Sequence, residues 1–442
     1  MGWFTPNPPL ISIEKAWVER RMCWLADHFG IERLLNTEVI LPTEEYFPAA
    51  YQGSPDCAHQ IMLQLCEHLG ISADPIELVV LPDEQMPEAA GLYEKQDHTV
   101  IRVAQSQLRD PERLVATLAH ELSHELLYGR GLISDESPDH EWVTDLLPVF
   151  LGLGIFGANS VLREGTERMG AYEQWAMSSQ GYLPARMFGY SLAVFAFLRG
   201  ELDPSWAQYL RLDAASVLKS GIRYLKKTDD TLLHPDSVYR RSSPVPESDL
   251  LIQLRSGSAS ARIAAVWDVR ERELASTEIV EAVCGCLDHR DPYLPGEAAD
   301  CLGSMGEAAQ GAIPHLFRLL QHHEAGARAK AGAALLRLNA PPDDLIPDLT
   351  LLLQEQNKRI ALVVAEGLIV YGKKAEQLAP KVLDQVRIAL IDCDDHTSFP
   401  LLAVLPFIVE DAEQTTRDFF AYDNELCEMA LSILRPPDEE QP

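Results

Sequence analysis

Leu114-Val115-Ala116-Thr117-Leu118-Ala119-His120-Glu121-Leu122-Ser123-His124 is the stretch on which the reading of this chain turns. It lies in a helical pattern. Asp110-Pro111 stands before it, a capping side chain followed by proline at the first helical position, and Gly129 follows Tyr128 where such a helix can stop. Residues four apart on a helix share a face, so the imidazoles of His120 and His124 can meet a single metal ion. Neutral imidazole suits zinc. Glu121 projects beside them, placed to hold a water and accept its proton. The bland alternative is two polar residues on an exposed face. It fits poorly with Leu114, Leu118, Leu122, Leu126 and Leu127, which make the helix mostly apolar and would leave buried, unpartnered histidines.

A second segment supports the first. Seventeen residues after His124 comes Glu141-Trp142-Val143-Thr144-Asp145, a Glu and an Asp one helical turn apart. Together the two segments resemble the gluzincin metallopeptidases, whose downstream helix supplies a third zinc ligand and a carboxylate partner for the first histidine. The resemblance, over about Thr99 to Asn159, implies His120, His124 and Glu141 as ligands of Zn2+, Asp145 as the hydrogen-bond partner of His120, and Glu121 as the general base. From the residues alone, His140 or Asp145 remains open as the third ligand. Metzincins carry a Gly and a third His where this chain has Leu127 and Arg130, and the rest of an aspzincin signature is missing. The resemblance also implies an edge strand ahead of the motif that pairs with extended substrate. Thr99–Val103 is in the right place for it, or for a plain structural strand.

The implied activity is hydrolysis of a peptide or protein substrate, with zinc keeping a fourth position open for water. Tyr128, His140, Tyr182, Arg186 and Tyr190 are candidates to donate to the carbonyl oxygen as it gains charge, and the sequence does not choose among them. The competing function is a non-enzymatic interaction scaffold carrying a structural or inactive zinc domain. The presence of Glu121, for which a retired peptidase has no chemical use, favours catalysis.

Outward from the motif, helical periodicity covers 12–30, 58–68, 184–199 and 205–225. Short apolar runs at Ile76–Leu81 and Thr99–Val103 read as strands, and Leu41–Pro55 as irregular. The stretch around Lys226–Asp249 holds Pro235, Pro244 and Pro246 among charged residues and reads as a boundary. Beyond it the chain repeats. Ile313-Pro314-His315-Leu316, Ile346-Pro347-Asp348-Leu349 and Ala379-Pro380-Lys381-Val382 follow at 33-residue intervals, with an earlier copy at Ile279–Leu287. Ala299/Leu302/Gly306 recurs as Ala333/Leu336/Ala340 and Ala365/Leu368/Gly372. The repeat resembles HEAT or armadillo units, four to five of them, stacked as a helical solenoid.

The expected fold is therefore an α+β, zincin-like N-terminal domain, mostly helical with a small sheet, followed by an all-α HEAT-like solenoid. Its parts are a helical extension at 1–40, the metallopeptidase-like domain at 41–228, a linker at 229–249, HEAT-like repeats at 250–410, and a cap helix with a disordered tail at 411–442. The solenoid offers a protein partner a long surface.

Charge narrows the partners. A chain of 442 residues with formal charge −30 lacks the basic clusters that displace counterions from phosphate, so nucleic acid is not an expected ligand. The N-terminus has no basic and apolar signal pattern, and Leu146–Leu162 is interrupted by Pro148 and three glycines, which argues against a membrane span. Eight scattered cysteines with no C-x-x-C pair suit packed free thiols. Cytoplasmic location is the expectation.

Overall fold

The computed structural model describes residues 6–47, 51–86, 89–95, 97–160, 183–234, 244–355 and 357–435. The chain divides into two compact units, Met1–Pro244 and Val245–Pro442. The first is mostly helical with one small sheet, and the second is wholly helical among its described residues.

In the first unit the elements run α1 (Ser12–Phe29), α2 (Ile31–Asn36), α3 (Pro55–Leu69), β1 (Ile76–Leu81), β2 (Gly91–Lys95), β3 (Thr99–Ala104), α4 (Pro111–Tyr128), α5 (His140–Phe150), α6 (Gly154–Ser160), α7 (Ala185–Leu198) and α8 (Leu212–Thr228). Asp110 starts α4 by accepting from the backbone N–H groups of Glu112 and Arg113 at 3.1 and 3.3 Å, with Pro111 where a free N–H is not needed. Leu114, Val115, Leu118, Leu122, Leu126 and Leu127 bury its apolar side. After Tyr128 the chain leaves the helix through Gly131 at φ +64°, with Leu132 N–H donating back to Leu127 O at 2.9 Å.

The sheet order is β1-β3-β2, with β1 parallel and β2 antiparallel to β3. This corrects the placement of Thr99–Val103. That strand is central, paired on both sides, and so is not the edge. The edge beside α4 is β2, whose Gly91-Leu92-Tyr93-Glu94-Lys95 has no clear apolar alternation and carries little strand signal on its own. Ala104 N–H donates to Ala90 O at 3.0 Å. The antiparallel alternation then turns the main-chain groups of Gly91, Tyr93 and Lys95 away from β3.

The segment read as an N-terminal extension is integral to this unit. α1 packs on α5 and α7 and buries Ile13, Ala16, Val18, Met22 and Leu25. Part of the expected linker is integral too. Leu232 N–H donates to Glu19 Oε2 at 2.9 Å, Lys15 Nζ lies 3.4 Å from Asp230, and Leu233 is buried.

In the second unit, helices pair. They are α9 (Glu247–Ser256) with α10 (Ala259–Glu271), α11 (Thr277–Cys284) with α12 (Leu294–Ser304), α13 (Ile313–Leu319) with α14 (Ala325–Arg337), α15 (Pro342–Leu353) with α16 (Lys358–Tyr371), and α17 (Ala379–Ile391) with α18 (Asp395–Ile408). The second helices stack in series, α10 on α12, α14, α16 and α18. Small buried residues such as Ala299, Ala333 and Ala365 permit the approach. Two carboxylates on α12 tie three helices together. Glu297 accepts from Trp267 at 2.7 Å and Lys330 at 2.5 Å, and Asp300 pairs with Arg270 and with Arg337 at 2.6 Å. Pro314 and Pro380 sit in the first turn of their helices as expected, whereas Pro347 lies inside α15, which starts earlier at Pro342. α19 (Ala412–Phe419) and α20 (Asn424–Leu434) follow, and α20 packs on α17 and α18. The tail 436–442 lies outside the described residues. No helix of the described residues is long and apolar enough to cross a membrane.

Candidate metal centre

α4 places His120 and His124 one turn apart, and the first turn of α5 brings Glu141 opposite them. His120 Nε2 lies 3.0 Å and His124 Nε2 3.9 Å from Glu141 Oε2. Two atoms that bind one tetrahedral zinc at about 2.0 Å stand about 3.3 Å apart, so these separations bracket the required one. Among the described residues these three are the one group of His, Cys, Asp or Glu whose ligand atoms all lie within 4.8 Å of one another.

The outer nitrogens are held so that the inner ones can bind. His120 Nδ1 donates to Asp145 Oδ1 at 2.8 Å, and Asp145 Oδ2 accepts from Leu183 N–H at 2.8 Å. Thr144 Oγ1 donates to His140 O at 2.8 Å, which leaves it to accept from His124 Nδ1 at 3.4 Å. In its neutral form each ring then carries its hydrogen on Nδ1 and its lone pair on Nε2, facing Glu141. Asp145 therefore stands on the far side of His120 from the cluster. His140 Nδ1 is engaged by Tyr128 Oη at 2.7 Å. Of the three residues left open for the third position, Glu141 is the one that converges with the histidines.

Burial opposes charge on His120, but its hydrogen bonds to Asp145 and Glu141 outweigh that and hold its pKa well above the ordinary value. Burial and the neighbouring His120 push His124 down to about 3. Glu141 is lowered: burial works against it, and the His120 hydrogen bond and nearby imidazoles overcome burial. Glu121 is 5% exposed and accepts no hydrogen bond from any described residue, and burial lifts its pKa to about 7.

A cleft of about 780 Å³ opens over this cluster, walled by Gly91, Tyr93 and Lys95 of β2, Tyr128 of α4 and Asp135 of the following loop. β2 crosses α4 so closely that a side chain at 91 would meet Glu121 Oε1 and Thr117 Cγ2, which accounts for glycine there. Glu125 anchors the strand, accepting from Tyr93 Oη at 2.8 Å, Lys95 Nζ at 2.8 Å and Thr99 Oγ1 at 2.7 Å. On the other side Asp139, just ahead of α5, takes Trp17 Nε1 at 2.8 Å and a two-pronged contact from Arg21, both bonds 2.8 Å. Sequence reasoning missed β2, Glu125, Thr144 and the Trp17/Arg21 clamp, because each acts through partners distant in the chain. Arg186 and Tyr190 are not at the cleft. They are spent on Glu14 and Glu19 of α1. Tyr182 lies outside the described residues.

Residues 247–337 match the family model of HEAT repeats, which places α9 to α14 in that class of helical repeat. No curated protein matches the chain.

Proposed function

We propose that the first unit is a zincin-like, zinc-dependent peptidase. The observation that carries this is the unpartnered, buried carboxylate of Glu121, set between two histidines that converge on Glu141 at the floor of a cleft. Zinc fits the donor set of two imidazoles and one carboxylate, and when bound it activates water and polarises a carbonyl. His120, His124 and Glu141 hold it. Glu121 accepts the proton of the attacking water and passes it to the leaving amine. The outward main-chain groups of β2 receive the extended substrate as an added strand. The helical repeats recruit the protein substrate or a regulator.

The match to HEAT repeats also favours a second reading, in which the repeats are the function and the metal domain is a passive support. Glu121→Gln separates the two. It keeps size and metal ligands but cannot take the proton. In cells expressing wild type or Glu121→Gln, new protein N-termini are compared across the proteome. The peptidase reading expects cleavage that falls ~10²–10⁴-fold in the variant with zinc content unchanged. Cleavage in neither, with partners still captured by the repeats, supports the scaffold.

A further inference from the structure

Within the peptidase reading, one step has no assigned group: the donor that meets the carbonyl oxygen as it gains negative charge. The cleft offers few. Lys95 and Tyr93 line it, but the ammonium is engaged by Glu125 and Thr99, and the Tyr93 hydroxyl donates to Glu125. Tyr128 is different. It lies one turn beyond His124 on the same face of α4, with its ring 4.8 Å from that imidazole. Its oxygen is 2.7 Å from His140 Nδ1, and the same Nδ1 lies 3.3 Å from Glu141 Oε1. A carboxylate oxygen that near repels a nitrogen lone pair and favours an N–H at Nδ1. With the hydrogen assigned to that nitrogen, His140 donates to Tyr128 Oη, and the phenol hydrogen is left for a third atom in the cleft.

We infer that Tyr128 is a catalytic residue of this site, its hydroxyl donating to the oxygen of the scissile carbonyl as charge builds there, with His140 as the positioning residue that orients it. The Nδ1–H of His140 fixes the phenol oxygen from behind and polarises its O–H. A donor so fixed needs no reorganisation when the charge appears, which is where such groups contribute most.

The test uses the full chain loaded with zinc and, as probe, a blocked phosphinic tripeptide whose tetrahedral phosphinate stands in for the hydrated carbonyl. Affinity by titration calorimetry, zinc content and melting temperature are read for wild type, Tyr128→Phe and Tyr182→Phe. Tyr128→Phe keeps the ring against His124, so zinc content and melting should match wild type. Loss of a hydrogen bond to a charged oxygen should weaken the phosphinate ~10–100-fold. Unchanged affinity in Tyr128→Phe overturns the inference, as does a loss that falls on Tyr182→Phe instead. Wild type that takes up zinc but binds no phosphinate overturns the peptidase reading itself, and this inference with it.

Discussion

Asp145 grips His120 from behind: its Oδ1 lies 2.8 Å from Nδ1, while Nε2 on the opposite side of the ring faces Glu141 Oε2 at 3.0 Å. The ring is thereby held at a set angle from both sides. Outer partners of this kind typically contribute ~10–100-fold to metal affinity. Asp145→Asn should weaken zinc binding by about that factor in a competition titration with a chromogenic chelator, while the chain stays folded. Equal affinity would mean that Asp145 serves packing alone.

Asp139 ties α5 to α1 through Arg21 and Trp17. The residue after it begins the helix that carries Glu141. Arg21→Ala removes two charge-assisted hydrogen bonds, so the first unit should lose about 2–3 kcal/mol in urea unfolding. Zinc affinity should fall too, since the first turn of α5 loses its anchor. Arg21→Lys should rescue both only in part, because one ammonium cannot reproduce a two-pronged contact.

Gly91 lies where β2 passes over Glu121, and the Cβ of an alanine would come within 2.6 Å of Thr117 Cγ2. Gly91→Ala should destabilise by about 1–3 kcal/mol through overpacking. It should also reduce peptide cleavage more than it reduces zinc content, since the displaced groups are Glu121 and the strand rather than the ligands.

The boundary between units makes a sharp prediction for truncation. A chain ending at Pro244 retains Asp230, Leu232 and Leu233 against α1 and should fold and take up zinc. One ending at Thr228 strands Lys15 and Glu19, both 1% exposed, without those partners. It should melt below the longer fragment in a thermal scan, since the buried Lys15–Glu19 pair loses the Asp230 and Leu232 contacts and the packing of Leu233 while water gains access to it.

In the repeats, Asp300 is held below the usual carboxylate range: burial raises its pKa, but Lys330, Arg337 and Arg270 outweigh it. A depressed folded-state pKa contributes stability that is present above the unfolded value, ~3.9, and is lost as pH falls through the folded one. Asp300→Asn should therefore lower stability at pH 7 by about 3 kcal/mol. Chemical denaturation of the two proteins should differ less and less as the pH is taken below ~4. A gap that stays constant down to that acidity would refute the ionic account.

Much of this is legible in the amino-acid sequence alone. The four-residue spacing of His120 and His124 fixes a shared face, and the same spacing puts Glu141 and Asp145 on one side of α5. The 33-residue rhythm of prolines gives the solenoid. What stayed hidden depends on pairing across the chain. Gly91–Lys95 is a strand because β3 lies beside it, and its sequence alone has too little alternation to say so. Thr99–Val103 reads as a strand, yet no pattern within it tells whether one neighbour or two will pair with it. The stretch 205–225 reads as one helix, but the backbone is extended at Leu210 and Arg211, between a short 3-10 turn and α8. Asp139, Trp17 and Arg21 carry no motif, and their link spans more than a hundred residues.

The outward-facing backbone of β2 has a further consequence, which concerns solubility. A strand edge able to accept an extended peptide is also able to accept the same edge of another copy, and unguarded edges seed aggregation. Here the guard is built from charge. Lys95 and Glu94 occupy the strand, each tied to a neighbour, Glu125 or Arg102. The formal charge of −30 adds mutual repulsion between chains. Raising ionic strength screens that repulsion. Neutralising Glu94 and Lys95 together should turn the edge into a nucleus for self-association.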